Sequence, residues 1–263
     1  MSSVTRSGFV YRTARGRFRV DWRAVAPESL FTTSRLLLEI QKRAKLAGGL
    51  MLDIGCGTKP YRQLFADRVT RHVGVDVPGS LHGRQAIDAF STATDLPFRA
   101  GSFDFVLCTE VLEHVPDPHR AYEEIARVLK PGGHALITTP FMYRVHEQPY
   151  DFFRYTPFSH AELATRAGLQ VEEISPRGGY FSVLFDTLLK GLSLGAGGLG
   201  SVASRLARRR INLRLHPFTR FVFAMIQYPI GTLLAREDVK SDTYTLGYVV
   251  VVRKPVHQDR LPA

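Results

Sequence analysis

Five consecutive residues, Asp53-Ile54-Gly55-Cys56-Gly57, carry the clearest chemical signal in the sequence. Glycines let backbone approach a ligand closely and adopt angles closed to other residues. Asp76, in Gly74-Val75-Asp76, follows about twenty residues on, where an acid accepts hydrogen bonds from ribose hydroxyls. Pro60 stands where a dinucleotide fingerprint needs its third glycine. Asp53 is a second departure, because a carboxylate is repelled by a pyrophosphate but attracted to a sulfonium and an α-amino group. The charge logic favours S-adenosylmethionine over a dinucleotide. A glycine pair alone also fits a plain strand-to-helix turn.

A second reactive group lies in residues 140–156, where Tyr143, His146, Glu147, Asp151, Arg154 and Tyr155 crowd one segment. His146 is the candidate base, His114 the second choice, and Tyr143, Arg154 and Tyr155 the candidate pocket walls. The same residues also suit a loop tied together structurally.

The elements that must position these groups alternate. Residues 28–47 read as a helix stopped by Gly48-Gly49. Leu50–Ile54 is a short apolar run of the buried parallel type, and His72–Val77, Ser102–Cys108 and His134–Thr139 follow as strands. Pro118–Leu129 and Ser159–Ala167 read as helices, Lys130-Pro131-Gly132-Gly133 as a turn, and Leu169–Ile174 as a strand. Val249-Val250-Val251-Val252, within 243–252, reads as a central strand. The expected architecture is α/β: a Rossmann-like, doubly wound, seven-stranded sheet with helices on both faces. Right-handed crossovers put the carboxyl ends of its strands on one ligand-binding edge, where residues 140–156 leave the sheet.

Four segments are expected: a basic N-terminal arm (1–27), the sheet domain (28–179), an apolar and basic helical cap (180–240), and the last strand with a tail (241–263). The chain has 263 residues, 44% hydrophobic, enough for a core without disulfide staples. Its two cysteines, Cys56 and Cys108, have no metal-ligand spacing around them. No metal site is expected, and a reduced cytoplasmic protein is. The formal charge of +11 favours an anionic partner. Its excess concentrates near the N-terminus and in residues 205–220, which hold six arginines and no acid. The first twenty residues faintly resemble a transit peptide, although an arm is the preferred reading.

Leu52–Thr58 is similar to the first motif of class I methyltransferases. Asp95-Leu96-Pro97-Phe98, Ser102-Phe103-Asp104, Glu110-Val111-Leu112-Glu113-His114 and the segment 127–133 follow in the order of the branch that includes the ubiquinone and menaquinone methyltransferases. The resemblance covers roughly residues 48–140. It implies that Asp53, Gly55 and Gly57, with Cys56 between them as a small filler, line the methionine half of S-adenosylmethionine. It implies further that Asp76 holds the ribose, that Thr94-Asp95-Leu96 edges the adenine, and that Thr109 and Glu110 lie under the methyl donor. Members often carry an acid where this chain has Thr92, which leaves the adenine contact to Asp95 or backbone groups.

Methyl transfer from a sulfonium chiefly requires alignment, with a general base only where the acceptor must lose a proton. The expected acceptor is a small molecule, a glycan or a lipid-linked compound. Residues 180–235 could rest against the inner face of an anionic membrane, or form a dimerisation face. RNA methylation and a non-catalytic binding domain are the alternatives, with nucleic acid disfavoured because the arginines are not interleaved with aromatics.

Overall fold

The computed structural model describes residues 9–21, 23–80, 83–191, 233, 238 and 243–256. Most of the expected cap therefore lies outside the described residues, as do residues 1–8. Among the described residues, no helix is long and apolar enough to cross a membrane.

A seven-stranded sheet organises the rest. Its strands are β3 (Gly49–Ile54), β4 (Val69–Asp76), β5 (Ala89–Phe90), β6 (Phe103–Thr109), β7 (Leu129–Pro140), β8 (Gln170–Pro176) and β9 (Gly247–Arg253), after a separate hairpin of β1 (Val10–Arg12) and β2 (Phe18–Val20). The spatial order is β5-β4-β3-β6-β7-β9-β8. The pairs from β5 to β7 are parallel, and β9 runs antiparallel between β7 and β8. This matches the expected Rossmann-like sheet. The valine run of β9 is buried along its whole length because both faces of the sheet are covered.

One face carries α3 (Pro118–Val128) and α4 (Pro157–Arg166), packed through Tyr122, Ile125 and Ala164 onto Ile54, Val106, Ile137 and Val250. Both helices start on capped prolines. Asp117 accepts from the Arg120 N–H at 3.0 Å, and Thr156 accepts from the Ser159 N–H at 3.2 Å. The Thr156 cap explains why α4 begins two residues before the expected Ser159. The other face carries α1 (Leu30–Arg43), whose Leu36, Leu37 and Ile40 meet Met51, Phe105, Leu136 and Val251, and the single turn α2 (Arg62–Phe65), whose Leu64 and Phe65 join the same cluster. Buried Arg43 links Glu39 on α1 to Glu173 and Ser175 on β8, which fixes the helix across the far end of the sheet.

Two local expectations differ. Lys130-Pro131-Gly132-Gly133 belongs to β7 rather than to a turn. The Gly132 N–H donates to the Lys254 carbonyl at 2.7 Å and the Lys254 N–H to the Gly133 carbonyl at 2.9 Å, so the segment after β9 holds it extended. Residues 10–20, within the expected arm, form the β1–β2 hairpin, and its inward Val10 and Val20 join the α1-side core. The strand pattern of Val10-Tyr11-Arg12 and Phe18-Arg19-Val20 was hidden because the exposed Arg12 shares the side of Val10 and lies over the Phe18 ring, while Tyr11 and Arg19 take the other side.

Candidate active site

The strand order reverses between β3 and β6, and their carboxyl ends open a crevice. Gly55 and Gly57 follow β3 at φ +65° and +48°, in the left-handed region. A Cβ on Gly55 would lie 2.3 Å from Val111 Cγ2, so the loop passes closely over the turn after β6. Asp76, at the end of β4, ties this loop down. Its Oδ2 accepts from the Gly57 N–H and its Oδ1 from the Val77 N–H, both at 2.8 Å. Each oxygen keeps a further lone pair for a ligand hydroxyl.

Beneath the loop lies a charged layer. Lys59, buried and at φ +52°, donates to Asp88 Oδ2 at 2.5 Å and to the His72 carbonyl at 3.1 Å. Burial pushes the Asp88 carboxyl up, but Lys59 and the Gly74 N–H together hold it below the usual range. Asp53 is buried at the end of β3 and sits 2.9 Å from His72 Nε2. Burial raises the Asp53 pKa against the pull of His72. Cys56 is pushed up to about 12 by burial and by nearby carboxylates, so its thiol is inert and fills space.

Glu110 follows β6 at φ +52°. Its Oε1 accepts from Thr138 Oγ1 at 2.9 Å and its Oε2 from Arg177 Nη2 at 3.0 Å. Arg177 is itself buried. Each oxygen of Glu110 thus has one protein donor, and the residue lines the cavity described below.

Two imidazoles face these groups. His114 closes a single 3-10 turn, Leu112–His114, and its Nδ1 lies 2.8 Å from the Tyr150 carbonyl. A carbonyl only accepts, so Nδ1 carries the hydrogen and Nε2 presents a lone pair when neutral. His146 Nδ1 lies 3.1 Å from Asp151 Oδ2. Asp151 is held far below the usual carboxylate range, first by the forked Arg154 guanidinium at 2.6 and 2.7 Å. Asp151 is therefore an acceptor, and His146 also turns its Nε2 lone pair outward. Burial lowers the His146 pKa, with His114 and Arg154 adding to the effect and Asp151 opposing it. The two rings lie edge to face at 4.7 Å, and Tyr143 packs 5.2 Å from His146. Lys190 Nζ sits 3.6 Å over the Tyr143 ring, bringing the helical residues 180–191 to this wall.

A single cavity of about 490 Å³ joins these walls. Of the sequence-selected residues, Asp53, Gly55, Cys56, Gly57, Thr109 and Glu110 line one part of it, and His114, Tyr143 and His146 line another. Asp76, Thr94, Asp95 and Leu96 lie outside that lining. Leu96 is a core residue, with its N–H bonded to Glu124 and its carbonyl to Arg127. Thr92 bridges to Asp95, and its hydroxyl lies 3.0 Å from that of Thr94. Arg154 and Tyr155 also stand behind the lining: Arg154 clamps Asp151, and Tyr155 donates to the Leu112 carbonyl at 2.9 Å. Sequence reasoning missed Lys59, His72, Asp88 and Arg177. It gave Glu113 no role beyond its place in a motif, whereas the side chain is wholly buried. Only Glu113 had a signal, its place inside the 110–114 motif.

A family described as a methyltransferase domain matches residues 52–137. The ubiquinone biosynthesis O-methyltransferase of Xylella fastidiosa strain M23 is 33% identical over 164 residues, 52% of this chain and 67% of that one. The ubiquinone biosynthesis O-methyltransferase of Marinobacter nauticus is 36% identical over 113 residues, 38% of this chain and 48% of that one. The match thus spans about half the length of the Marinobacter relative. Among solved structures, an S-adenosylmethionine-dependent methyltransferase from Mesorhizobium loti superposes with TM-score 0.52 at 13% identity, covering 85% of this chain and 99% of its own. The cyclase SpnF superposes with TM-score 0.53 at 20% identity, covering 95% and 87%. A cyclase on this fold shows that the architecture alone does not dictate the reaction.

Proposed function

The chain belongs to the class I S-adenosylmethionine-dependent methyltransferase family, and from that premise we propose that it transfers a methyl group to a small-molecule, glycan or lipid-linked acceptor. The observation that carries the reading is the single cavity that runs from the glycine loop to the paired imidazoles. Asp53, Gly55 and Gly57 would hold the methionine half of the cofactor, with Cys56 as filler, and Asp76 the ribose. Thr94 and Asp95 would edge the adenine with the Leu96 backbone. Thr109 and Glu110 would lie near the sulfonium. These residues fit the group: there is no room for a Cβ at Gly55, and a buried carboxylate at Asp53 suits a cation. Bound there, S-adenosylmethionine supplies an already activated methyl group, so the protein mainly aligns the partners and excludes water.

His146 is assigned the acceptor's proton, with His114 as the second imidazole and Tyr143 as a wall against the acceptor. Asp151 fixes the His146 ring and Arg154 fixes Asp151, an orienting chain of the kind that positions a general base. The six arginines of residues 205–220, which lie outside the described residues, would favour an anionic membrane surface. Flotation with anionic liposomes tests that assignment, and the absence of salt-sensitive binding rejects it.

Calorimetric titration with S-adenosylmethionine tests the central reading, with micromolar binding expected. No binding would leave the non-catalytic alternative. A screen of acceptors by product mass then identifies the substrate class. The formal charge of +11 keeps RNA in that screen, and a steep salt dependence of RNA binding would favour it.

A further inference from the structure

Among the described residues, Glu113 is the least explained side chain. It is wholly buried, and neither carboxylate oxygen has a hydrogen-bond partner. An orphaned buried carboxylate calls for a ligand or a cost borne elsewhere. Its Oε1 lies 3.7 Å from His114 Nε2 and 3.9 Å from His146 Nε2. One donor atom from each of the three residues lies within 4.8 Å of the others. Both imidazoles are held through Nδ1, by the Tyr150 carbonyl and by the Asp151 carboxylate. That is the support ligating histidines receive, since it fixes the ring and leaves Nε2 unprotonated. Four-coordinate ions with bonds of about 2.1 Å space their donors about 3.4 Å apart. The two carboxylate–imidazole separations, 3.7 and 3.9 Å, stand a few tenths of an ångström outside that spacing, and the imidazole pair, within 4.8 Å, must close by a further side-chain rotation.

We propose that Glu113, His114 and His146 bind a divalent transition-metal ion of the zinc or ferrous type. Two imidazoles and one carboxylate are the donor set such ions take, with coordination positions left open. His114 and His146 line the cavity, so the open positions face it. An oxygen donor of the acceptor, such as a hydroxyl or carboxylate, completes the coordination. Glu110, three residues before Glu113, is tied to Thr138 and Arg177 and is not among the three described residues whose donor atoms converge. Ion binding does not depend on methyl transfer; only the ion's role toward the acceptor rests on that reading. An imidazole that holds an ion cannot also take a proton, so loading changes His146 from proton acceptor to ligand.

The test uses the untagged full chain, stripped with a chelator and titrated with Co²⁺ alone, followed by visible absorption and calorimetry, with Zn²⁺ as competitor. One Co²⁺ per chain is expected, displaced by Zn²⁺. His114→Ala and His146→Ala should each weaken binding by ~100-fold or more. His119→Ala, on the surface beside Glu123, should leave it unchanged. Uptake below about a tenth of an ion per chain overturns the proposal, as does equal affinity in wild type and His146→Ala. Glu113→Gln, nearly isosteric, gives the same reading if an alanine variant fails to fold. S-Adenosylmethionine binding is measured separately without metal. Its failure would sink the methyltransferase reading and leave the ion result standing.

Discussion

Tyr155 stands between two histidine environments that put the same side chain to opposite uses. Its ring packs 5.0 Å from His160, and its hydroxyl holds the Leu112 carbonyl at the start of the turn that carries His114. His160 is fully buried, with Nδ1 2.8 Å from the Tyr122 hydroxyl and Nε2 2.8 Å from the Thr139 hydroxyl. Both nitrogens are satisfied, and burial pushes its pKa down to about 3. His114 and His146 spend only Nδ1 on the protein and turn Nε2 toward the cavity. A saturated imidazole is a structural tie, whereas a half-saturated one keeps an atom for chemistry. Burial alone does not separate them, since it depresses the pKa of His146 as well.

The sharpest way to break this contrast is His160→Ala. It leaves two buried hydroxyls unpaired and opens a cavity, and should cost about 3 kcal/mol of stability by denaturant unfolding. A cost under about 0.5 kcal/mol would remove His160 from the role of a tie. Acid should act next most strongly. The folded pKa of His160 lies below its unfolded value near 6.5, so its contribution is fully present above about pH 6.5 and is lost as pH falls toward about 3. By pH 5 the loss is about 2 kcal/mol from this group, and unfolding midpoints of His160→Gln should be correspondingly less pH-dependent. His146→Gln should have the reverse profile: methyl transfer reduced about tenfold or more, with cofactor affinity and unfolding midpoint near wild type. Activity within about twofold of wild type would deny His146 its role at the acceptor. His119→Ala, half-exposed beside Glu123, should change stability by less than about 0.5 kcal/mol and leave transfer intact.

The strands were legible because their signals are local. Leu50–Ile54 and the valine run of β9 are apolar on both faces, as strands covered on both sides must be. The glycine motif was legible because its backbone angles need that residue type. The partners of the motif were not. His72 reaches Asp53 through the register of β4 beside β3, with Met51 opposite His72 and Asp53 opposite Gly74, and Gly74 reaches Asp88 through the pairing of β4 with β5, where Val75 lies opposite Ala89. Arg177 meets Glu110 across 67 residues of sequence. The hairpin was obscured by arginines that suggest a solvated arm, although its inward valines alternate as a strand pair requires. The orphaned carboxylate of Glu113 could not be foreseen either, because the sequence does not say which way a short 3-10 turn points.

The placement of β9 has a consequence for how the chain reaches this structure. Among the described residues β8 pairs with β9 alone, and β9 is made after the excursion over residues 177–246. During synthesis β8 has no neighbour to hydrogen-bond, and β7 exposes an open edge until β9 emerges and fills the gap. Closure of the sheet is therefore a late event with a large loop to gather, whereas the β3–β7 half can assemble from contacts already made. A ribosome-bound intermediate ending before β9 should hold the glycine loop in place while the β8 edge still waits for its partner.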